Sequence, residues 1–249
     1  MSEPTSPAAR SAADAAPAAL SGSEHGASLP AAWRWQMVPR ASSALGFRLA
    51  CYAAMIWMSL WAEARPAPSL PDAVLSHVPY VEWVDRYNFL LWSLAYLPLL
   101  GVLLARDPER FVRYNVSTGL LSLLRGLCVM ATGLGPVRGA DVNAGLSAET
   151  RSRALWEVLS PFGVFARDSP HLYLTKDLFF SGHASTTLLL ALYLWRDRQL
   201  RWPALVGHVL VVASVFLSHL HYTIDVVGAY AIAFSLFVLR EGEVRRIVQ

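Results

Sequence analysis

Cysteine is scarce in this chain, and its scarcity excludes two common ways of holding a small protein together. Only Cys51 and Cys128 occur among 249 residues. Both fall inside apolar runs, so they read as small buried side chains and not as a disulfide framework or a metal site. Polar sequence is also short outside the N-terminus: 55% of residues are hydrophobic and the mean hydropathy is +0.38. The apolar residues are gathered into long runs instead of recurring with a short period, which points away from a soluble protein and toward a membrane one. No apolar core with a small-residue cleavage site marks a signal peptide.

What the chain does have begins with residues 1–33, rich in Ala, Ser and Pro, where Pro4, Pro7, Pro17 and Pro30 break any regular element. This segment reads as a disordered tail. Trp33, Arg34, Trp35 and Arg40 then introduce the first apolar run as interfacial anchors. Apolar runs predict six helices near 44–62, 88–105, 115–134, 184–196, 203–220 and 223–240. About 20 residues cover the roughly 30 Å hydrocarbon layer, so most of these are long enough; the fourth is short unless Phe179 to Gly182 belong to its start. Residues 34–249 therefore read as an all-α, six-helix polytopic membrane domain.

Arginine sets the expected orientation. Arg34, Arg40 and Arg48 stand at the first run, Arg106, Arg110 and Arg113 in the second connection, Arg196, Arg198 and Arg201 in the fourth, and Arg240, Arg245 and Arg246 at the end. An even number of helices puts all four clusters on one side, which the positive-inside rule makes cytoplasmic, together with both termini. The opposite, outer face (periplasmic or exoplasmic) then collects His183 in Phe180-Ser181-Gly182-His183, and His221 and Asp225 in His221-Tyr222-Thr223-Ile224-Asp225. Ionisable groups beside hydrocarbon are costly and need a partner or a task.

The chemistry open to this trio is phosphoryl transfer. His221 and Asp225 are four apart and can face each other on a helical turn. A carboxylate on one imidazole nitrogen fixes the tautomer and aims the other lone pair outward, as a nucleophilic histidine requires. His183 supplies a separate acid to the leaving oxygen and then a base toward the acceptor. Ser181 and Gly182 open a helix whose exposed N–H groups can meet phosphate oxygens without a metal. A zinc site from His219, His221 and Asp225 is the competing reading, but on a helix His219 and His221 point apart, and no Cys or Glu cluster completes the shell. Taken singly, His183 can be an interfacial histidine with a local hydrogen bond, and Asp225 a carboxylate stabilising a helix N-terminus. Arg125 and His208 are polar groups inside apolar runs. Arg125 reads either as a structural ion pair or as a contact to lipid phosphate or a catalytic carboxylate, and the two together motivate a transporter or channel as an alternative class.

At these residues the chain resembles the sphingomyelin synthase family, the lipid phosphotransferase branch of the type 2 phosphatidic acid phosphatase superfamily. Asp177-Leu178-Phe179-Phe180-Ser181-Gly182-His183 is similar to the segment around that family's first catalytic histidine. Ser218-His219-Leu220-His221-Tyr222-Thr223-Ile224-Asp225-Val226 with Ala229-Tyr230 is similar to the segment around its second histidine and aspartate. Leu70-Pro71-Asp72 resembles its Pro-Leu-Pro-Asp element with Ser69 at the first proline. Arg125 with Thr132, Leu134 and Pro136 resembles its third helix, Gly135 being an insertion. Thr175-Lys176 replaces a Cys-Gly pair, and a Thr-Arg pair is absent after Ala233.

The resemblance covers about residues 44–240. It implies a six-helix bundle with His221 as nucleophile, Asp225 as its brace and His183 as acid and base. It also implies transfer of a phospho-head-group from a glycerophospholipid to a lipid hydroxyl such as ceramide or diacylglycerol, and no cofactor. Water as acceptor gives the alternative, a lipid phosphate phosphatase. Asp72, Arg125, Lys176, Asp177, Ser181, Gly182, His219 and Tyr222 become candidates for holding substrate, with Lys176 standing in for a basic residue against phosphate. Tyr80, Trp83, Trp92 and Tyr173 are candidates for an aromatic cage around a choline head group. The expected partners are a phospholipid donor, a lipid or water acceptor and the membrane, with no nucleic acid; homo-oligomerisation stays open. In the long connection before His183, Ser147 caps an expected helix over 147–159, ended by Pro161 and Gly163.

Overall fold

The computed structural model describes residues 31–160 and 173–242. Residues 1–30 of the expected tail, Arg245 and Arg246, and Pro161 and Gly163 lie outside the described residues, while residues 31–33, expected in the tail, are helical. Among those described there are eight α-helices, a short 3-10 turn at Leu75–His77 and no strand. The helices are α1 (Ala31–Glu63), α2 (Glu82–Arg86), α3 (Asn88–Arg106), α4 (Pro108–Ala131), α5 (Ala148–Leu159), α6 (Gly182–Leu194), α7 (Arg201–Leu217) and α8 (Thr223–Glu241).

The ends of these helices follow from local chemistry. Asp107 caps α4 by accepting from the Arg110 N–H at 2.9 Å, with Pro108 in the first turn, so α4 starts well before the expected residue 115. Ser147 accepts from the Thr150 N–H at 3.2 Å, and α5 begins where its cap predicts. Gly242, at φ 60°, takes the left-handed conformation that closes α8. Helix α1 starts at Ala31, ahead of the expected 44, and runs through Pro39. Helix α6 starts at Gly182, so Gly182 does belong to it, whereas Phe179 and Phe180 precede the cap.

Glycine decides how closely two of the long helices pack. A Cβ on Gly126 of α4 would sit 2.3 Å from the Met58 methyl and 3.1 Å from the Met55 Cα of α1. One on Gly119 would sit 2.7 Å from the Phe47 ring and 3.3 Å from the Arg48 Cα. Small residues seven apart thus let the backbones of α1 and α4 approach, the usual device where lipid removes the hydrophobic drive for helix association. At the centre stands α6, whose Ala184, Leu189, Leu190, Ala191 and Leu194 are buried with Phe180, Val215, Ala229, Ala233 and Phe237. Its 13 residues span only about 20 Å, so it is a core element enclosed by α4, α7 and α8.

The outward faces of the long helices are apolar: Leu94, Leu97, Leu127, Leu210, Phe234 and Leu239 are all exposed. Such surface is what a lipid-facing bundle presents. By length and composition, Trp35–Glu63, Asn88–Arg106 and Thr223–Glu241 can cross a membrane, and Arg201–Leu217 is a shorter apolar helix. The molecule is a polytopic membrane helical bundle. Helices occupy all six expected runs, but three of them meet the length and apolarity of a full span; α4 carries too many polar groups and α6 is too short.

The bundle has two chemically distinct ends. At one, Arg65 beyond α1 donates to the Val129, Met130 and Thr132 carbonyls at the close of α4, and the Val81 N–H donates to Leu217 at the close of α7. At the other, Arg106 pairs with Asp197 at 3.6 Å and Arg113 with Glu241 at 3.2 Å.

Candidate active site

The turn that opens α8 holds the first half of the site. Tyr222 is the N-cap, extended at φ −67° and ψ 157°, and Asp225 is three residues inside the helix. Its Oδ2 accepts the Tyr222 N–H at 2.9 Å, the carboxylate half of a capping box, and lies 3.4 Å from His221 Nδ1. His221 precedes the cap and is not on the same helical turn as Asp225; the turn, not helical periodicity, brings the two together. Both are buried, and among the described residues neither His221 Nδ1 nor Asp225 Oδ1 has a hydrogen-bond partner.

Asp72 secures this turn from the loop after α1. Its carboxylate accepts the Thr223 N–H at 2.6 Å and the Thr223 hydroxyl at 2.9 Å, and it also accepts the Val74 and Leu75 N–H groups. Burial alone would raise its pKa, but these four donors outweigh it and hold the carboxyl below its ordinary range. Tyr222 is buried, its hydroxyl accepting the Leu70 N–H at 2.9 Å and donating to the Gly135 and Pro136 carbonyls. His219, at φ 51°, places Nε2 3.0 Å from the Val78 carbonyl. These three residues, expected among those holding substrate, pin the loops after α1 and α4 to the start of α8.

The second half is the start of α6. Ser181 is its N-cap, accepting from the Ala184 N–H at 3.4 Å, and the Ser181 N–H donates to the Asp225 carbonyl at 3.0 Å. That bond ties the mouth of α6 to the mouth of α8. His183 follows two residues later, so its Cα lies within about 7 Å of that of Ser181. The His183 ring stands edge-on to Trp92 with centroids 5.7 Å apart, and Trp92 stacks on Tyr96 at 4.7 Å.

Arginine 125 reaches this turn from α4. Its Nε donates to the Phe180 carbonyl at 2.6 Å, and its terminal nitrogens donate to the Asp177 carboxylate at 2.7 Å and the Asp177 carbonyl at 2.8 Å. A Cβ on Gly182 would lie 3.4 Å from the guanidinium carbon, so the glycine leaves room for it. The structural ion pair is the alternative realised: the carboxylate Arg125 meets is Asp177 and not Asp225. Ser59 donates to the other Asp177 oxygen at 2.8 Å.

Lys176 is also committed. Its ammonium donates to Asp141 at 2.6 Å and to the Arg65 carbonyl at 2.7 Å, and it is buried. Burial would raise the Asp141 pKa, but the Lys176 bond and backbone N–H donors hold it below its ordinary value. Sequence reasoning missed the residue that organises this segment, Glu63. It is fully buried at the end of α1 and accepts the Thr175 N–H at 2.9 Å, the Thr175 hydroxyl, the Lys176 N–H at 2.8 Å and the Asn143 amide at 2.8 Å. A carboxylate ending a long apolar run was the available signal.

The four aromatics expected to cage a head group occupy different settings. Trp92 is beside His183. Tyr80 carries Arg138 over its ring at 3.5 Å, Trp83 is exposed, and Tyr173 packs with Met55, Ile56 and Ala154. His208 is satisfied inside the bundle by Thr187 at 2.8 Å and Tyr230 at 2.6 Å.

The molecule is an all-α membrane bundle in which His221, 3.4 Å from Asp225, stands at one helix mouth that a backbone hydrogen bond joins to a second helix mouth bearing His183. Residues 176–241 match the PAP2 superfamily C-terminal family. The "Putative phosphatidylcholine:ceramide cholinephosphotransferase 3" of Caenorhabditis elegans is 30% identical over 200 residues, covering 72% of this chain and 57% of that protein. Human phosphatidylcholine:ceramide cholinephosphotransferase 1 is 28% identical over 186 residues, 68% of this chain and 43% of that protein. Rat phosphatidylcholine:ceramide cholinephosphotransferase 2 is 29% identical over 187 residues, 68% of this chain and 49% of that protein. The chain belongs to the PAP2 superfamily and is homologous to cholinephosphotransferases of the sphingomyelin synthase kind. It spans about half the length of the curated relatives it matches.

Proposed function

We propose that the protein is an integral membrane lipid phosphotransferase working through a phosphohistidine. The observation that carries this reading is the buried His221–Asp225 pair at the start of α8, held by the Ser181–Asp225 backbone bond next to the helix start that bears His183. With Nδ1 facing Asp225, His221 attacks through Nε2: an N–P bond forms, the bond from phosphorus to the diacylglycerol oxygen breaks, and His183 gives its proton to that oxygen. In the second half His183 takes the proton of an acceptor hydroxyl, whose oxygen displaces His221 from phosphorus. The names of the relatives favour a choline-bearing donor and ceramide as acceptor. The active face is the outer one and both termini are cytoplasmic, as the arginine distribution supports, with residues 34–249 forming the six-helix catalytic domain.

Incubating the purified protein with head-group-labelled phosphatidylcholine, with and without ceramide or diacylglycerol, tests the reading. Label moving to the added lipid is expected. Phosphocholine released to water regardless of acceptor indicates hydrolysis, and free phosphate from phosphatidic acid indicates the phosphatase; absence of all three products defeats the proposal.

A further inference from the structure

A groove opens beside the mouth of α8, at the histidine end of the bundle. Leu70 and Val74 of the loop after α1 form one wall, Ile224 and Val227 of α8 the other, and its volume is about 350 Å³. All four side chains are exposed, and the volume falls within the range of small-molecule sites, about 300–1,000 Å³. Hydrogen bonds at its head hold the groove in shape. Asp72 accepts the Thr223 N–H at 2.6 Å and the Thr223 hydroxyl at 2.9 Å, and the Tyr222 hydroxyl accepts the Leu70 N–H at 2.9 Å. Asp72 is the one charged residue of the lining, and its carboxylate also accepts the Val74 and Leu75 N–H groups. With that charge spent inside the protein, the groove offers a ligand hydrocarbon surface.

The groove is continuous with the lipid-facing surface of the bundle, which narrows the choice of ligand. Beyond Val227 the same face of α8 carries Tyr230 and Phe234, three and seven residues on, both exposed. The head of the groove lies against Tyr222 and Thr223, the two residues that follow His221, and the Cα of Thr223 is within about 7 Å of that of His221. A membrane phospholipid has this layout, with its head group at the helix mouth and its chains running along the helix toward the bilayer centre. A groove already fixed by hydrogen bonds receives a chain without first having to be ordered.

We propose that this groove seats one acyl chain of the phospholipid whose phosphate His221 attacks. The inference rests on the phosphotransferase reading and adds to it a way of selecting the donor by its chain. Contacts with Leu70, Val74, Ile224 and Val227 hold the lipid without touching the reacting bond, so they are made equally in ground state and transition state and are expressed in KM rather than in kcat.

The test irradiates the purified full chain, in detergent micelles, with a phosphatidylcholine carrying a diazirine on one acyl chain, and maps the cross-linked peptides. Label is expected on Val74, Ile224 or Val227, and is expected to be competed away by unlabelled phosphatidylcholine. Val227→Trp fills the groove from an exposed position; it is expected to cut the groove label about tenfold and to raise KM for phosphatidylcholine by a similar factor with kcat retained. Phe234→Trp, on the same face of α8 but outside the groove, is expected to change neither. If Val227→Trp does not fold, Val74→Trp fills the groove from its other wall and carries the same expectation. Label spread evenly over the lipid-facing helices overturns the proposal, as does an unchanged KM in a variant that has lost the groove label. Competed groove label in a native protein that transfers no head group would keep the groove as an acyl-chain seat and defeat the catalytic reading instead.

Discussion

Two adjoining segments carry the candidate site, and they treat their polar groups in opposite ways. The approach to α6, residues 175–181, is saturated: Glu63 takes donors from Thr175, Lys176 and Asn143, Arg125 grips Asp177 and Phe180, and Lys176 is closed by Asp141. The turn into α8 leaves His221 Nδ1 and Asp225 Oδ1 buried without hydrogen bonds among the described residues. A buried polar atom left unpaired costs about 1–3 kcal/mol, to be set against the cap that the other Asp225 oxygen gives α8. On the proposed reading, the saturated segment is the scaffold and the His221–Asp225 pair beside it is the reactive centre.

The largest effect expected from that division is at the pair itself. His221→Ala should lower head-group transfer at least about 10⁴-fold while leaving the unfolding midpoint nearly unchanged. His183→Ala should cost about 10²–10⁴-fold, since an acid and base is lost but the nucleophile remains. Rates in lipid vesicles and thermal unfolding of the same preparations check both, and a variant that loses stability in step with activity would erase the distinction between centre and scaffold.

The scaffold should respond in the opposite manner. Removing one partner of a buried ion pair strands the other, so Arg125→Ala should destabilise by about 3–5 kcal/mol and lower activity through misplacement of the Ser181–His183 turn. Glu63→Gln keeps the shape and some acceptors, and should cost about 1–3 kcal/mol. Denaturant unfolding of detergent-solubilised protein measures these; an Arg125→Ala protein of full stability but no activity would move Arg125 from scaffold to centre.

The smallest expected effect is the response to acid. Asp72 and Asp141 both have carboxyl pKa values held below the ordinary 3.8. A carboxylate whose folded pKa is depressed adds stability that is complete above the unfolded pKa and disappears as pH falls through the folded one. Unfolding midpoints should therefore be insensitive to these groups near neutrality and drop below about pH 4. Asp141→Asn should start lower and flatten that drop; an unchanged acid limb would mean Asp141 is not tied to Lys176 in solution.

Part of this arrangement was legible in the sequence because it is local. His221 and Asp225 are four residues apart, Ser181 caps the helix it precedes, and Ser147 caps α5. The rest depends on pairings that no local pattern encodes. Arg125 meets Asp177 from 52 residues away, Lys176 meets Asp141 from 35, and Asp72 caps the start of α8 from 151. Read alone, Arg125 and Lys176 suggested a contact with phosphate and Asp72 and Asp177 one with substrate; folded, each has a protein partner. Composition gave the order of the long helices correctly. It also showed that the fourth run is short; it could not show that α6 is buried in the core, because an apolar run looks the same facing protein or lipid.

The central claim is most directly tested by trapping the intermediate. Brief exposure of the native protein to phospholipid labelled in its phosphate, without added acceptor lipid, followed by a rapid alkaline quench, alkaline digestion and peptide mapping, should place an acid-labile label on His221 and on no other residue. Label at another position, or turnover that persists in His221→Ala without any labelled protein, would contradict the account.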